Sequence, residues 1–266
     1  FARAVIEAGL IWVGPKPEAI ATMGSKIEAR RLAAEARIPI IPGFSDSQEP
    51  VDLSDAADRI GYPILVKASA GGGGKGIRLA NNPAEFDTAL NEAVTEAERS
   101  FGDGRVIVER FITRPRHVEV QIVGDSHGTT IDLGTRECSV QRRYQKLLEE
   151  APAPNLAEST TTGLRESAVR MAGSIGYDST GTVEFVGDDE TGDYFFLEMN
   201  TRLQVEHPVT EEITGLDLVE LQLRVAGGGE LGLSAGDITF NGHAVEARIN
   251  AEDATNGFVP QLGQLT

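Results

Sequence analysis

Glu184 and Glu198 flank a turn-rich stretch in GTVEFVGDDETGDYFFLEMNTRLQVEHP, residues 181–208. If the hairpin turn is centred near Thr191, Glu184 faces Glu198 on the neighbouring strand. Facing carboxylates repel, so the pair implies a cation between them. Magnesium or manganese, which take oxygen ligands and bridge nucleotide phosphates, suits the position. Glu198, Asn200, Arg202, Gln204 and Glu206 share one parity, so an extended chain projects all five to one side. The intervening Leu197, Met199, Leu203 and Val205 then make the other side core. A merely solvated face is the bland alternative, but it is seldom so rich in metal-ligand and anion-binding types. Asn200 offers a neutral oxygen ligand, Arg202 a fork for a small planar anion, and Glu206 a candidate base.

A second feature is the glycine run in VKASAGGGGKGIRLA, residues 66–80, flanked by Lys67 and Lys75. Backbone N–H groups of such a loop can close over phosphates. Gly71, Gly73 and Gly76 match G-x-G-x-x-G in form, but that fingerprint opens into a helix, and the strand-like IRLA follows here. A P-loop would need Gly where Ser69 stands and Ser or Thr where Gly76 stands. What remains is a glycine lid joining two strands, as in protein kinases and ATP-grasp ligases. Kinase H-R-D and D-F-G segments are absent from the sequence. Read blandly, the loop is a surface hairpin, yet four glycines in a row give up backbone entropy without packing anything.

The elements that must position these groups fall into two styles. FARAVIEAGLIWVGP reads as a helix feeding a short buried strand, followed by a helix over about 17–37. DLSDAADRIG is a short helix with Ser or Asp as cap, YPILVKAS and RVIVERFI are strands, and Asn82, Pro83 and Glu85 mark the start of a helix. From His117 the period becomes two: His117, Glu119 and Gln121 alternate with Val118, Val120 and Ile122, then the chain turns at GDSHG and returns. A helix over about 161–176 precedes the acidic hairpin and DLVELQLRVA follows it. The expectation is an α+β chain, with the end of an α/β unit and a linker helix over 1–41, a small glycine-lid lobe over 42–112, and a larger antiparallel-sheet lobe over 113–266.

With 40% hydrophobic residues the 266-residue chain can bury a sizeable core, and its formal charge of −17 opposes nucleic acid or an anionic membrane surface as the main partner. One cysteine excludes an internal disulfide framework, and the four histidines lack zinc-ligand spacing. No apolar run approaches the roughly 18 residues a membrane span needs. A reducing cytoplasm is the expected compartment. The chain opens inside a helix and closes in the strand-like GQLT, so a segment of something longer is expected.

KASAGGGGKGIRLA, RHVEVQI, QRRYQKLLEEAPAP, EMNTRLQVEHPVTE and GHAVEARINAED, in this order and over essentially the whole chain, resemble the biotin carboxylase component of biotin-dependent carboxylases, an ATP-grasp fold. The phrasing is most similar to the α-subunit of bacterial acetyl- and propionyl-CoA carboxylases. The resemblance implies that ATP and bicarbonate form carboxyphosphate, whose carboxyl group passes to N1′ of biotin on a carrier protein. It implies phosphate contacts for Lys26 and Lys67 and a closing loop that includes Gly72, Gly73, Gly74 and Gly76. An adenine hinge is implied at Glu109, Arg110 and Ile112, with His117 on the ribose side. Gln141, Tyr144 and Lys146 fall near the phosphates and bicarbonate, and Glu184, Glu198 and Asn200 match the magnesium ligands. Arg202, Gln204, Val205 and Glu206 match the bicarbonate pocket, with Glu206 as base, and Arg248 matches the arginine that stabilises the biotin enolate. Many family members have His in place of Tyr144, which can donate one hydrogen bond but carries no imidazolium charge. The implied partners are a biotin carboxyl carrier domain and a carboxyltransferase subunit, in a homo-oligomeric whole. No MKM biotin-attachment motif occurs in the sequence.

Another ATP-grasp ligase, such as a carbamoyl-phosphate synthetase, would share the lid and the acidic hairpin but not TRLQVEHPVTE followed by EARIN. A nucleotide-binding fragment inactive in isolation is the reading from a different class. Cys138 reads as a small buried residue, His207 as structural, His127 as solvated in its turn, and Glu149 with Glu150 as an exposed acidic pair.

Overall fold

The computed structural model describes residues 1–70 and 76–264. Helix α1 (Ala2–Glu7) is followed by Leu10 and Ile11 at 65% and 70% exposure rather than by a buried strand, because among the described residues no strand lies beside them to pair with. The single helix expected over 17–37 is two, α2 (Pro17–Met23) and α3 (Lys26–Glu35). They part at Gly24 and Ser25, where the Ser25 hydroxyl caps α3 by accepting from Glu28 N at 3.4 Å. The break lets Lys26 N donate to Ser69 O at 2.9 Å, which seats the first residue of α3 beside the entrance to the glycine loop.

The small sheet consists of β1 (Gly43–Phe44), β2 (Ile64–Ala68), β3 (Ile77–Ala80) and β4 (Val106–Arg110) in the order β1-β4-β2-β3, all antiparallel. Helices α4 (Pro50–Ile60) and α5 (Pro83–Phe101) cover it, and Leu53, Val66, Phe86, Leu90 and Val108 form the core between the layers. The α5 start is as the sequence signals: Asn82 Oδ1 accepts from Ala84 N at 3.1 Å and Pro83 occupies the first turn. α4 departs from expectation, since it starts at Pro50 with Glu49 at its cap and no side-chain capping bond. Strands β2 and β3 join through the glycine run, of which Gly76 is described and Gly72, Gly73 and Gly74 lie outside the described residues. Gly76 has φ +68°, its carbonyl accepts from Ala68 N at 2.8 Å, and a Cβ there would sit 2.7 Å from Ala68 Cβ. Only glycine meets both demands.

The large sheet has the order β10 (Ala244–Ala247), β7 (Gln145–Ala151), β6 (Thr130–Arg142), β5 (Pro115–Gly124), β8 (Thr180–Asp188), β9 (Tyr194–Asn200). Strands β5 (Pro115–Gly124) and β6 (Thr130–Arg142) are the hairpin read from the alternation. Val118, Val120 and Ile122 face the core with Leu164, Ala168 and Met171 of α6 (Glu158–Ser174), while His117, Glu119 and Gln121 share the opposite face. Truncating the fully buried Met171 to Ala would cost about 2–5 kcal/mol. Strands β8 (Thr180–Asp188) and β9 (Tyr194–Asn200) are the acidic hairpin. A third hairpin was not expected: β6 returns as β7 (Gln145–Ala151) through Arg143 and Tyr144, both left-handed at φ +52° and +65°. Neither residue type announces such a turn. After α7 (His207–Thr214) and α8 (Leu218–Ala226), β10 (Ala244–Ala247) pairs with β7, and β11 (Glu252–Asp253) with β12 (Val259–Pro260) close the described chain. No helix among the described residues is long and apolar enough to cross a membrane.

Candidate active site

Between the two sheets lies a cleft of about 590 Å³. Lys26, Lys67, Arg110, Ile112, His117, Gln141, Tyr144, Lys146, Glu184, Glu198, Asn200, Arg202, Gln204, Val205, Glu206 and Arg248 all line it. Residues from both sheets, from α3 and from the segment after β9 thus converge, though they span more than two hundred positions of sequence.

On the small-sheet side the Glu109 carboxylate lies beneath the cleft, with Lys67 Nζ at 2.6 Å and Arg30 Nη1 at 2.9 Å. Burial disfavours its charge, but the two cations outweigh burial and hold the carboxyl below its ordinary range. Of the expected hinge residues, Arg110 and Ile112 therefore meet the cleft, whereas the Glu109 side chain anchors Lys67. Lys26 shares this end; burial, with Lys67 nearby, lowers its affinity for a proton.

The large-sheet side carries the acids. Glu184 faces Glu198 across β8 and β9, and Asn200 faces Thr182. The Lys146 ammonium, on β7, contacts Glu119 at 2.6 Å, Glu184 at 2.8 Å and Glu206 at 2.5 Å. His117 Nε2 lies 3.1 Å from Glu184, while Asn200 Nδ2 and Gln204 Nε2 each donate to Glu184 at 2.9 Å. Burial opposes the charge of Glu184, yet His117 and Lys146 hold it far below the ordinary carboxylate range. Burial likewise opposes the charges of His117 and Lys146, and the surrounding carboxylates raise both. Glu198 shifts the other way: burial and then the neighbouring charge of Glu184 push its carboxyl up, against the pull of Lys26. The expectation that a cation must separate the facing pair is therefore met in part by the chain itself, since Lys146 and His117 compensate Glu184.

Two carboxylates and an amide at one spot are hard oxygen donors that fit a magnesium- or manganese-sized ion, and the raised Glu198 marks where added positive charge would be compensated. Two further sets, His117 with Glu119 and Glu184, and Glu119 with Cys138 and Glu206, have ligand atoms within 4.8 Å of one another, but Lys146 contacts carboxylates of both.

Arg202, Gln204, Val205 and Glu206 reach the cleft by a route the parity argument did not foresee. The strand ends at Asn200, and Glu206 precedes the first residue of α7 without a side-chain capping bond. Gln204 and Glu206 are buried, Arg202 is exposed, and Val205 is 56% exposed on the cleft rather than part of the core. Tyr144 stands 65% exposed at the β6–β7 turn, and Gln141 Nε2 donates to Cys138 O at 2.8 Å and lies 3.1 Å from His117 Nδ1. His207 Nδ1 contacts Gln204 O, and exposed His127 contacts Gly228 O.

Three residues were missed or misjudged. Arg136 is fully buried and donates to Glu119 at 2.8 Å, Gln121 at 2.6 Å, Thr210 at 3.0 Å, Thr182 at 3.1 Å and Gln204 at 3.2 Å. Glu119, on the polar face of β5, is its main charge partner, and Cys138 Sγ donates to the same carboxylate at 3.0 Å. Burial and Glu119 push the Cys138 thiol far up, consistent with an inert buried residue. Glu149 is not exposed: its side chain is fully buried and accepts from Arg248 Nη2 at 2.7 Å, and the same nitrogen donates to Glu206 at 2.9 Å. Only Glu150 is accessible, paired with His243 at 2.6 Å.

A family model, "Carbamoyl-phosphate synthase L chain, ATP binding domain", matches residues 25–234. The chain is 50% identical to the propionyl-CoA carboxylase alpha chain of Ruegeria pomeroyi over 270 residues, covering 100% of this chain and 39% of that protein. It is 47% identical to the chloroplastic biotin carboxylase 2 of Populus trichocarpa, covering 98% of this chain and 49% of that one. The chain thus spans less than half the length of either relative. The biotin carboxylase domain of Hydrogenobacter thermophilus 2-oxoglutarate carboxylase, crystallised as a dimer with MgADP, ADP and bicarbonate, superposes with a TM-score of 0.92 at 45% identity, over 97% of this chain and 57% of that one. The cleft with its facing acids therefore lies in a chain that belongs to the carbamoyl-phosphate synthase L chain ATP-binding domain family and, within it, to the biotin carboxylase ATP-grasp domains.

Proposed function

We propose that this chain contributes the ATP- and magnesium-dependent carboxylation of biotin, the first half-reaction of an acyl-CoA carboxylase. The observation that carries this reading is the convergence of Lys146 and Arg248 on Glu206, beside Glu184 and Glu198 and across the cleft from Lys26 and Lys67. The MgADP and bicarbonate of the Hydrogenobacter relative support nucleotide, magnesium and bicarbonate as ligands here too. Lys26 and Lys67 take the phosphates, and the segment from Glu109 to Ile112 borders the base. Glu184, Glu198 and Asn200 hold magnesium or manganese, which would neutralise phosphate charge when bound.

Arg202, Gln204 and Val205 seat bicarbonate. Glu206 accepts the bicarbonate proton, so that the freed oxygen can attack the terminal phosphorus of ATP while ADP leaves. Lys146 and Arg248 hold Glu206 between them and offset the negative charge that gathers as carboxyphosphate forms. The carboxyl carbon then bonds to N1′ of biotin, whose proton departs with the released phosphate, and Arg248 steadies the anionic ureido group. Closure of the glycine loop over the cleft would exclude water from this labile intermediate.

The biotin arrives on a carrier domain, and a carboxyltransferase subunit decides which acyl-CoA is carboxylated, in a homo-oligomeric cytoplasmic assembly. In this scheme residues 42–112 act as the lid lobe and 113–266 as the catalytic lobe. The test is phosphate release from ATP and magnesium by the natural protein that contains this chain, with and without bicarbonate and free biotin. Release that depends on bicarbonate and rises with biotin is expected; release indifferent to both would sink the proposal.

A further inference from the structure

We propose that Glu149 is a positioning residue of this site, holding the Arg248 guanidinium so that it serves the biotin-side step; this rests on the functional reading above. β7 and β10 lie side by side with Glu149 opposite Glu246, and Arg248 follows directly after β10. Two bonds then tie Arg248 to β7: its backbone N donates to Leu147 O at 2.9 Å, and its Nη2 to Glu149 Oε1 at 2.7 Å. That nitrogen is shared with Glu206 Oε2 at 2.9 Å. Glu149 and Glu206 therefore grip one corner of a planar group, which fixes where the remaining donors point. Arg248 Nε is buried and without a hydrogen-bond partner among the described residues, and the residue lines the cleft.

A wholly buried carboxylate needs a compensating partner, because isolated burial of its charge is unfavourable. Burial, with Glu206 and Glu246 nearby, pushes the Glu149 carboxyl up, and Arg248 is the cation that opposes them. Adjacent Glu150 points to solvent and pairs with His243, which makes it a control differing by one position.

Glu149→Gln and Glu150→Gln variants of the natural protein containing this chain separate the two residues. For Glu149→Gln, carboxylation of free biotin should fall about tenfold to a hundredfold in kcat, with the KM for ATP within about threefold of wild type and the bicarbonate-dependent ATP cleavage measured without biotin reduced by a clearly smaller factor, because Lys146 still holds Glu206. Glu150→Gln should match wild type in all three. Equal loss of both activities, or unchanged biotin carboxylation, overturns the proposal. A crystal structure of Glu149→Gln gives a readout independent of turnover: Arg248 should leave Glu206 or lose a single orientation, and a guanidinium still in place refutes the positioning role. Wild-type protein without biotin-dependent activity would defeat the functional reading instead, while the Arg248 geometry still decides this one.

Discussion

Two lysines, each in contact with buried carboxylate, occupy opposite walls of the cleft, and their surroundings differ in sign. Lys67 has one carboxylate, Glu109, which it shares with Arg30, so positive charge is in excess and an anion is attracted. Lys146 touches three carboxylates, and with Glu198 and Glu149 close by five carboxylates face Lys146, His117, Arg136 and Arg248, so negative charge is in excess. The same side chain is thus a phosphate receptor on one wall and a counter-ion on the other. A nucleotide with a divalent cation complements this gradient.

Replacing each lysine by methionine breaks the comparison most sharply. Lys146→Met removes the one cation shared by Glu119, Glu184 and Glu206 and leaves them only Arg136, His117 and Arg248 within a buried excess of negative charge, so stability at pH 7 should drop by about 3–5 kcal/mol and turnover should be lost. Lys67→Met leaves Glu109 with Arg30, so stability should fall by only about 1 kcal/mol while ATP affinity weakens at least about tenfold. Urea denaturation and nucleotide titration of both variants check this. Equal destabilisation would mean that the walls are not electrostatically distinct.

Glu198→Gln addresses the acidic wall next. Burial and Glu184 disfavour the charge of Glu198, so without metal the variant should be as stable as the parent or up to about 1 kcal/mol more stable. The added stability that magnesium-ATP gives the parent should shrink or vanish in the variant. Melting curves with and without magnesium-ATP read both effects. Retained magnesium-dependent stabilisation would place the ion elsewhere.

How much of this was legible in the sequence turns on single residues of register. The strand-to-strand setting of the glycine run was readable from IRLA, and the Glu184–Glu198 pair because the turn between them is short. That pair was placed with some fortune: near the turn Gly187 faces Tyr194, and an irregularity between Glu184 and Phe185 restores the facing acids. The opposite happened in β5–β6. Counting back from its turn sets Glu119 against Thr135, but a shift between Val120 and Ile122 sets it against Arg136, and this hid the most buried ion pair of the site. Glu149 and Glu150 look alike as neighbours in sequence; the strand pleat sends one inward and one outward, and β7 itself went unrecognised. Val205 was assigned to the core by alternation that stops at Asn200.

A further effect belongs to Glu109, on the positive wall, and it is read through pH. Lys67 and Arg30 lower its carboxyl affinity for protons against the effect of burial. A carboxyl lowered in the folded chain stabilises it above the unfolded-state value of about 4.3, and this contribution is lost as pH falls towards the lower folded value. Glu109→Gln should therefore cost about 2 kcal/mol at pH 7, and the gap between parent and variant should narrow steadily once pH drops below about 4. Urea midpoints of both proteins between pH 7 and pH 3 measure the gap directly. A gap that stayed constant, or widened in acid, would show that Glu109 does not hold Lys67 by charge; the contrast between the two walls would then rest on Lys146 alone.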